Sequence, residues 1–401
     1  MQNQQERQKT LYQKAKRREK RQKKAKNQNN SDAARLFRFI NQELTKHSAE
    51  LLWEHQLTLA MLITGLLRSR SGRLPQIAEK VVYEYKKTSL VSRFERFVKS
   101  SWVDVPLFYA PIVKEILEAL QDETLVLMID STKLGGNCIC LMVSIYYKNR
   151  ALPLAWVCFK GKKGHSAQAI QLELLKQVKT LLPDTSTVTL VGDGEFDGTD
   201  LLTWFKDETT WLFVCRTKNT NKVYYQDQWL ALTDLGQTLT LAPTETAFVP
   251  QVSFVERNPV SDLNIFIAWH QTEQKHFFFV TNCLTQAQAQ AFYACRFSIE
   301  TCFADLKSRG FNLHLTRIRT PARLERLLLA TAYAYYFIVL LGVEAIFSGI
   351  FRQLVRTDAF YHSLSRLGFI FLDHILNEGD LFPNLQPLPL PHLVNHFVLP
   401  P

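Results

Sequence analysis

The stretch 288–308, QAQAFYACRFSIETCFADLKS, decides how this chain is read. It contains neither Gly nor Pro, and Thr285 stands ahead of it as a helix cap, so it is expected to form one helix. At about 100° per residue, Tyr293, Arg296, Glu300 and Lys307 fall at roughly 0, −60, −20 and −40°, a polar stripe about 60° wide. Phe292, Cys295, Phe303 and Leu306 supply apolar surface around much of the rest. A carboxylate between a guanidinium and an ammonium, with a phenol above, suits a group that holds a metal beside phosphates. The same stripe would serve equally as a solvated face with charge pairs. What separates the two readings is whether two further carboxylates meet this helix.

The totals narrow the class before any motif does. A chain of 401 residues has room for roughly two to three domains and a large core. A hydrophobic share of 46% with 12% aromatics excludes a disordered chain. The seven Cys are scattered, with Cys138 and Cys140 the nearest pair and no C-x-x-C spacing, and they read as reduced thiols of a cytosolic protein. The long, polar, basic N-terminus has no apolar run behind it, so no signal peptide is expected. The apolar run 327–343, interrupted by Tyr333, Tyr335 and Tyr336, is just short of a membrane span and reads as a buried helix. No membrane partner is expected. Net charge is +11, and residues 1–30 carry +9 of it, with eleven Lys/Arg against Glu6 and Glu19. That block is a solubilising tail or a polyanion-binding arm, read as disordered; its charge alone does not choose between DNA, RNA and a membrane surface.

In chain order, residues 31–121 read as helices: an amphipathic run AARLFRFINQEL, a mostly buried run 51–67, and two short helices, 74–82 and 89–99, joined by YEYKKT. The second carries Leu90, Phe94 and Phe97 at i, i+4 and i+7 and turns Ser92, Arg93, Arg96 and Lys99 elsewhere, a helix-turn-helix with a basic face that could read DNA. From Thr124 the period changes. LVLMID (125–130), 138–147 and 151–159 read as strands, with Lys148-Asn149-Arg150 linking the last two. Then come a helix (166–182), a strand TVTLV (187–191), a short helix (199–206) and a fifth strand (211–216). Three antiparallel strands leading into parallel crossovers is a ribonuclease H-like succession: an α/β fold with a mixed five-stranded sheet flanked by helices. Residues 219–276, with KVYYQ, TLTLA, VSFVE and NIFIAW between turns, read as a small β-rich insertion, and 277–281 as the return to the core. The core domain thus spans 122–320. Residues 321–401 are helical again, with Arg323, Arg326, Arg352 and Arg356 on polar edges, and end in an extended Pro/Leu tail.

Asp130 ends the first strand and Asp193 follows the fourth; in a ribonuclease H-like sheet those strands are neighbours. With Glu300 from the helix above, three carboxylates would repel one another unless cations fill the gap. Two Mg²⁺ or Mn²⁺ ions, held about 3.5–4 Å apart, would neutralise them and serve an in-line phosphoryl displacement. An Asp at a strand end is also a common turn or helix cap, and Glu195, Asp197 and Asp200 are rivals of Asp193. Asp193 is preferred because it follows the apolar strand at once, whereas Asp197 and Asp200 suit the start of the next helix. Lys133, Lys160, Lys162, Lys163, Arg216 and Lys218 lie near strand ends, where they would line a DNA path or remain solvated surface. His165 reads as a local hydrogen-bonding residue.

These residues reach a known family. The chain resembles the DDE transposases of bacterial insertion sequences, in the branch marked by a Tyr-x2-Arg-x3-Glu-x6-Lys signature, which Tyr293, Arg296, Glu300 and Lys307 match without a gap. VGDGEF (191–196) is similar to the family's second-acid motif, with Gly194 where Arg is usual, and IDSTK (129–133) to the first. The resemblance implies Asp130, Asp193 and Glu300 as metal ligands, Arg296 and Lys307 as phosphate grips, and Tyr293 as the residue that orients the terminal nucleotide. It implies helical flanks that bind the element's ends and join protomers, and an insertion that holds the DNA end. It also suggests a hairpin intermediate with a flipped base on an aromatic of the insertion, for which Trp229 and Trp269 are candidates, though either serves equally as packing. The expected protein is a cytoplasmic, nucleoid-associated bacterial transposase, a homodimer on double-stranded DNA, acting on transposon ends and target. The rivals are a ribonuclease H-fold nuclease without strand transfer and a domesticated DNA-binding regulator.

Overall fold

Amphipathic spacing accounts for the first helices of the computed structural model, which describes residues 31–47, 53–82, 86–121, 123–162, 164, 166–356 and 362–387. Residues 1–30, the 83–85 part of the YEYKKT link, Lys163, His165 and the tail from 388 lie outside the described residues, and so do the expectations attached to them. Helix α1 (Asp32–His47) buries Leu36, Phe39, Ile40 and Leu44 along one side. Helix α2 (Trp53–Ser69) is buried almost throughout from Gln56 to Leu67. Helix α3 (Leu74–Glu79) begins with Pro in its first turn, where the missing N–H costs nothing. Helix α4 (Lys87–Lys99) buries Leu90, Phe94 and Phe97, as their spacing predicts. Helix α5 (Val105–Ala119) is capped by Asp104, which accepts from the Leu107 N–H at 2.8 Å.

The sheet follows. Strands β1 (Leu125–Lys133), β2 (Cys138–Tyr147) and β3 (Arg150–Lys160) form an antiparallel meander. Lys148 and Asn149, at φ 49° and 60°, make a two-residue hairpin turn, so Arg150 is the first residue of β3 and is buried rather than part of the link. Helix α6 (Gln168–Leu181) leads to β4 (Val188–Gly192), and α7 (Thr199–Glu208) leads to β5 (Leu212–Thr217). β4 lies parallel to β1, and β5 parallel to β4.

The insertion is rich in strands, as its alternating stretches suggest, and what it changes is the expected five-stranded sheet. Strands β6 (Lys222–Tyr225) and β7 (Gln228–Ala231), helix α8 (Leu232–Thr238), and strands β8 (Ala247–Phe254), β9 (Val260–His270) and β10 (Lys275–Thr281) do not form a separate β unit. β10 pairs antiparallel with β5 and offers its other edge to β9, so the described strands make one ten-stranded sheet, in the order β3-β2-β1-β4-β5-β10-β9-β8-β6-β7. A sixth strand on the free edge of β5 satisfies backbone groups that would otherwise stay open. TLTLA is no strand: α8 ends inside it.

The organising stretch also differs from the single helix expected. It is two helices, α9 (Gln286–Ala294) and α10 (Phe297–Leu306), meeting at Cys295–Arg296. Across the joint the backbone bonds run from residue i to i−3, as in Arg296 N–H to Tyr293 O and Ile299 N–H to Arg296 O, a tighter winding than α. The cause is tertiary: α9 packs on β4 and β5, whereas α10 packs on β1 and β3.

Helix α11 (Pro321–Phe347) is long and apolar enough to cross a bilayer, but most of its apolar length is buried inside the protein. It packs against α2, α4, α5, β3 and, after the short α12 (Phe351–Leu354), against α13 (Leu364–Glu378), so the helical regions before and after the sheet share one core. The α11–α13 crossing is close: a Cβ on Gly368 would stand 1.8 Å from the Ile338 carbonyl oxygen, and one on Gly342 2.1 Å from that of Leu364. A second close fit lies beside β1. Gly136, at φ +61°, turns the chain where a Cβ would meet the Arg319 Cα at 2.6 Å, which seats the segment 316–319 against the end of the strand that carries Asp130.

Candidate active site

Strand register sets the first two acids. β1 and β4 run parallel with Ile129 opposite Gly192, so the next residues, Asp130 and Asp193, emerge side by side at the same end of neighbouring strands, about 4.8 Å apart in the pairing direction. Asp130 is buried, and its Oδ1 accepts from the Ser131 N–H at 2.6 Å. Asp193 is half-buried, and its Oδ1 accepts from the Glu195 N–H at 2.9 Å.

The rivals of Asp193 are occupied elsewhere. Glu195 accepts from the Ser166 N–H at 2.6 Å and from the Ser166 hydroxyl, and its other oxygen accepts from Ser131 Oγ at 2.9 Å. Its backbone carbonyl takes a further bond from Gln171 at 3.2 Å. Glu195 thus ties the loop after β4 to Ser131, the residue next to Asp130, and to the start of α6; sequence reasoning weighed it only as a spare acid. Asp197 accepts from Thr217 at 2.7 Å and Asn221 at 3.0 Å; burial pushes its carboxyl above the usual range, against the Thr217 bond. It does not start α7, whose cap position is Gly198, whereas Asp200 does lie in that helix's first turn.

Glu300, in the first turn of α10, is half-exposed. Between it and Asp130 lies the Arg296 guanidinium: Nη2 is 2.5 Å from Glu300 Oε1 and Nη1 is 4.0 Å from Asp130 Oδ2. Burial works to lower the Arg296 pKa, but Tyr293, Glu300 and Asp130 outweigh it and hold the guanidinium firmly charged. As placed, no three Asp, Glu, His or Cys side chains among the described residues gather closely enough to hold one metal ion. The cation between Asp130 and Glu300 is an arginine.

Of the other two signature residues, Tyr293 stands beside Arg296 and Lys307 lies further along α10. Tyr293 packs edge-on against Phe279, and burial pushes its phenol up to about 12; Arg296 lies 5.7 Å from its ring. Lys307 follows the last residue of α10, over the Phe303 ring, about 10 Å along the helix from Glu300. Tyr293, Arg296 and Glu300 stand together around the joint, and Lys307 lies two turns beyond Glu300 at the end of the same helix. Phe297, nearly half exposed and 4.9 Å from the Arg296 guanidinium, is an aromatic neighbour that the sequence reading passed over.

The basic candidates divide in the same way. Arg216 stacks at 3.6 Å over Phe277, and with Lys218, Lys275, His276 and Asp193 it lines a pocket of about 470 Å³. Trp269 packs at 5.0 Å against His276, at the rim of that pocket; Trp229 lies on β7, the far strand of the sheet. Lys133 and Lys160 line a second concavity of about 620 Å³ with His314 and Arg319, and Lys162 is exposed beyond it. Arg319 is shared with a groove of about 700 Å³ lined by Arg73, Lys99, Arg317 and Arg323, with Glu95 the one acid. The α2–α3 turn reaches that groove through Asn312 Nδ2 to the Arg70 carbonyl at 3.0 Å and Arg73 Nε to the Leu315 carbonyl at 3.2 Å. Sequence reading missed Arg317 and Arg319; their alternation in TRIRT was the available clue. On α4, Arg96 is exposed, and Arg93 is part-buried and paired with Glu54 at 2.6 Å and Thr58 at 2.8 Å.

Residues 123–337 match the family model described as the transposase DDE domain. No curated protein matches the chain. Among solved structures the chain is similar to the cryo-EM structure of the piggyBac transposase synaptic complex with hairpin DNA, at 10% identity over 92% of this chain and 83% of that one, with a TM-score of 0.41. The matched family segment covers more than half of the chain and contains Asp130, Asp193, Arg296 and Glu300 together. The chain belongs to the transposase DDE-domain family.

Proposed function

We propose that this protein cleaves DNA at the terminal inverted repeats of a bacterial insertion sequence and joins the freed ends to target DNA, as a member of the Tyr-Arg-Glu-Lys branch with a ribonuclease H-like core. The observation that carries this reading is the register of β1 and β4, which sets Asp130 beside Asp193 at one sheet edge, with Glu300 across one guanidinium from Asp130. The strand order β3-β2-β1-β4-β5, antiparallel and then parallel, supports the core assignment.

Asp130, Asp193 and Glu300 would hold Mg²⁺ or Mn²⁺, two ions per site. Their hard carboxylate oxygens suit such ions, and the guanidinium lodged between Asp130 and Glu300 is a stand-in that marks the gap as a place for positive charge. The ions, when bound, would supply Lewis-acid activation of the attacking oxygen and charge neutralisation at the leaving one. The chain's own residues supply position. Glu195 fixes the two aspartate-bearing segments to each other, and Arg296 offers a planar fork to a phosphate. Arg216, Lys218 and Lys275 give the strand beside Asp193 a cationic wall. In the first step water adds to phosphorus and the bridging 3′ oxygen leaves as a free hydroxyl, taking a proton; in the second that hydroxyl, losing its proton, attacks a phosphorus of the target strand, whose own bridging 3′ oxygen leaves as a hydroxyl. The protein would act as a cytoplasmic, nucleoid-associated homodimer, with the helical regions joining protomers and holding transposon ends.

The test is a plasmid carrying the element's ends, incubated with protein, Mg²⁺ and target DNA. Recovered strand-transfer joints are expected; nicks without joints would favour the nuclease reading, and binding without nicks the regulator.

The groove of Arg73, Lys99, Arg317, Arg319 and Arg323 supports duplex DNA as the partner. Among the described residues Arg317, Arg319 and Arg323 make no ion pair, so their charge is open to an external anion. The groove continues toward Lys133, three residues and about 10 Å along β1 from Asp130. Replacing Arg317, Arg319 and Arg323 together with Ala is expected to weaken binding to any duplex sequence alike. It should reduce the slope of log affinity against log salt by up to about 3, at roughly 0.9 per phosphate contact. An unchanged slope in a binding titration would take the groove out of the DNA path.

A further inference from the structure

Arg296 makes an unusual set of contacts for a residue expected to grip DNA. Its side chain is about nine-tenths buried, it is hydrogen-bonded to Glu300 at 2.5 Å, and it stands 4.0 Å from Asp130, near enough for charge attraction but too far for a hydrogen bond. Its Nε is buried without a hydrogen-bond partner among the described residues. The clamp is therefore strong on one side, loose on the other and incomplete at its stem, and a buried donor left unmade is a standing cost. One guanidinium also cannot neutralise two carboxylates, so the pocket still attracts positive charge.

We propose that Arg296 is the resident counter-ion of the acid site: it competes with divalent cations for Asp130 and Glu300, and release of its guanidinium to a DNA phosphate couples cation loading to DNA binding. This rests on the reading of Asp130 and Glu300 as cation ligands. A cation entering between the two carboxylates must displace the guanidinium, which fills the space between them, bonded to Glu300 Oε1 and facing Asp130 Oδ2. A displaced guanidinium, still charged and beside Phe297 and Tyr293, needs a new anion, and a phosphodiester can take its Nη and Nε donors together. Each ligand thus removes an obstacle to the other. By linkage the coupling is reciprocal: DNA raises cation affinity by the factor by which cation raises DNA affinity. Without DNA the guanidinium shields the carboxylates, so the site stays poorly loaded until a substrate arrives. Arg296 sits at the α9–α10 joint, so its side chain can change partner without either helix leaving its strands.

The experiment measures Mn²⁺ binding to the full chain by the spin-resonance signal of free Mn²⁺, with and without a short blunt-ended DNA duplex. Wild type is expected to bind Mn²⁺ weakly alone and at least tenfold more tightly with the duplex. Arg296→Met removes the competitor and is expected to bind Mn²⁺ at least tenfold more tightly without DNA, with the coupling factor falling toward one. Arg296→Gln, which keeps a polar group at the joint, should behave alike and guards against a misfolded Met variant. In Asp130→Asn/Arg296→Met the gain should vanish. If Asp130→Asn and Glu300→Gln lose Mn²⁺ but neither Arg296 variant gains affinity, the counter-ion proposal is overturned and the acid site stands. If Asp130→Asn and Glu300→Gln bind Mn²⁺ as wild type does, both fall.

Discussion

Asp130→Asn, Asp193→Asn and Glu300→Gln are each expected to lower DNA strand cleavage by roughly 10³-fold, while the protein stays folded and still binds DNA. The size follows from the charge: the ions these acids would hold contribute several kcal/mol of transition-state stabilisation, and each 1.36 kcal/mol is tenfold in rate. The amides are chosen to separate charge from shape. Asn at 130 keeps an oxygen for the Ser131 N–H, and Asn at 193 keeps one for the Glu195 N–H. Gln at 300 replaces a half-exposed side chain on the first turn of a helix. Binding should survive because it rests on Arg216, Lys218, Lys275 and the Arg317–Arg323 groove, none of which depends on the acids for its placement. Glu195→Gln is the informative comparison. Its carboxylate already accepts from Ser166 and Ser131, so the amide should keep most cleavage. Gel assays of cleavage and binding, run side by side, decide it. Full cleavage by folded Asp193→Asn with loss in Glu195→Gln would move the second acid to position 195.

Much of the sheet could be read from the sequence because its information is local. Apolar runs with an abrupt polar end gave β1, β2, β4 and β5 to within a few residues, and the acids following β1's apolar run and β4 came with them. Leu90, Phe94 and Phe97 are buried as their spacing requires. What failed was set by distant partners. Alternation marks 222–225 and 260–270 as strands but says nothing of which edge they join, so the continuous sheet was invisible. A helix wheel assumes one axis, and nothing in YACRFS announces that α9 and α10 rest on different strands, so the joint between Tyr293 and Glu300 was invisible. Arg93 and Arg296 are both DNA candidates by chemistry; what the sequence does not show, and the fold does, is that each already faces a carboxylate of its own chain. Glu300, 170 residues from Asp130, stood out by its place on the helix stripe, and the family resemblance added the roles assigned to its neighbours.

Gly368→Ala is expected to destabilise the protein by about 2 kcal/mol, although Ala is the better helix former. In a helix interior that exchange alone would stabilise by up to about 1 kcal/mol. Against it stands the α11–α13 crossing, where the added Cβ would lie 1.8 Å from the Ile338 carbonyl oxygen and 3.1 Å from the Gly342 nitrogen. Backbone cannot rotate aside as a side chain can, so the helices must separate, and overpacking of this kind costs about 3 kcal/mol. Leu364, Leu367, Leu372 and Ile375, all buried in that contact, would lose neighbours as α13 lifts. The damage should also reach the acid site. Ser365 on α13 donates to Asp305 at 2.7 Å, and Asp305 belongs to α10, the helix that presents Glu300. Burial already pushes the Asp305 carboxyl up, and the Ser365 bond, ahead of Arg150 and Arg309, opposes it, so losing Ser365 would favour the protonated acid and loosen α10 from α13. Cleavage should therefore fall in Gly368→Ala at temperatures where circular dichroism still reports a folded helix content. Gly236→Ala is the control: it lies in α8 with only the Phe278 ring nearby, at 3.8 Å, and should leave stability unchanged or slightly raised. Urea unfolding of the two variants against wild type makes the comparison. Equal midpoints for Gly368→Ala and wild type would mean that the helices cross less closely than 1.8 Å implies, and that α13 does not help hold Glu300 in place.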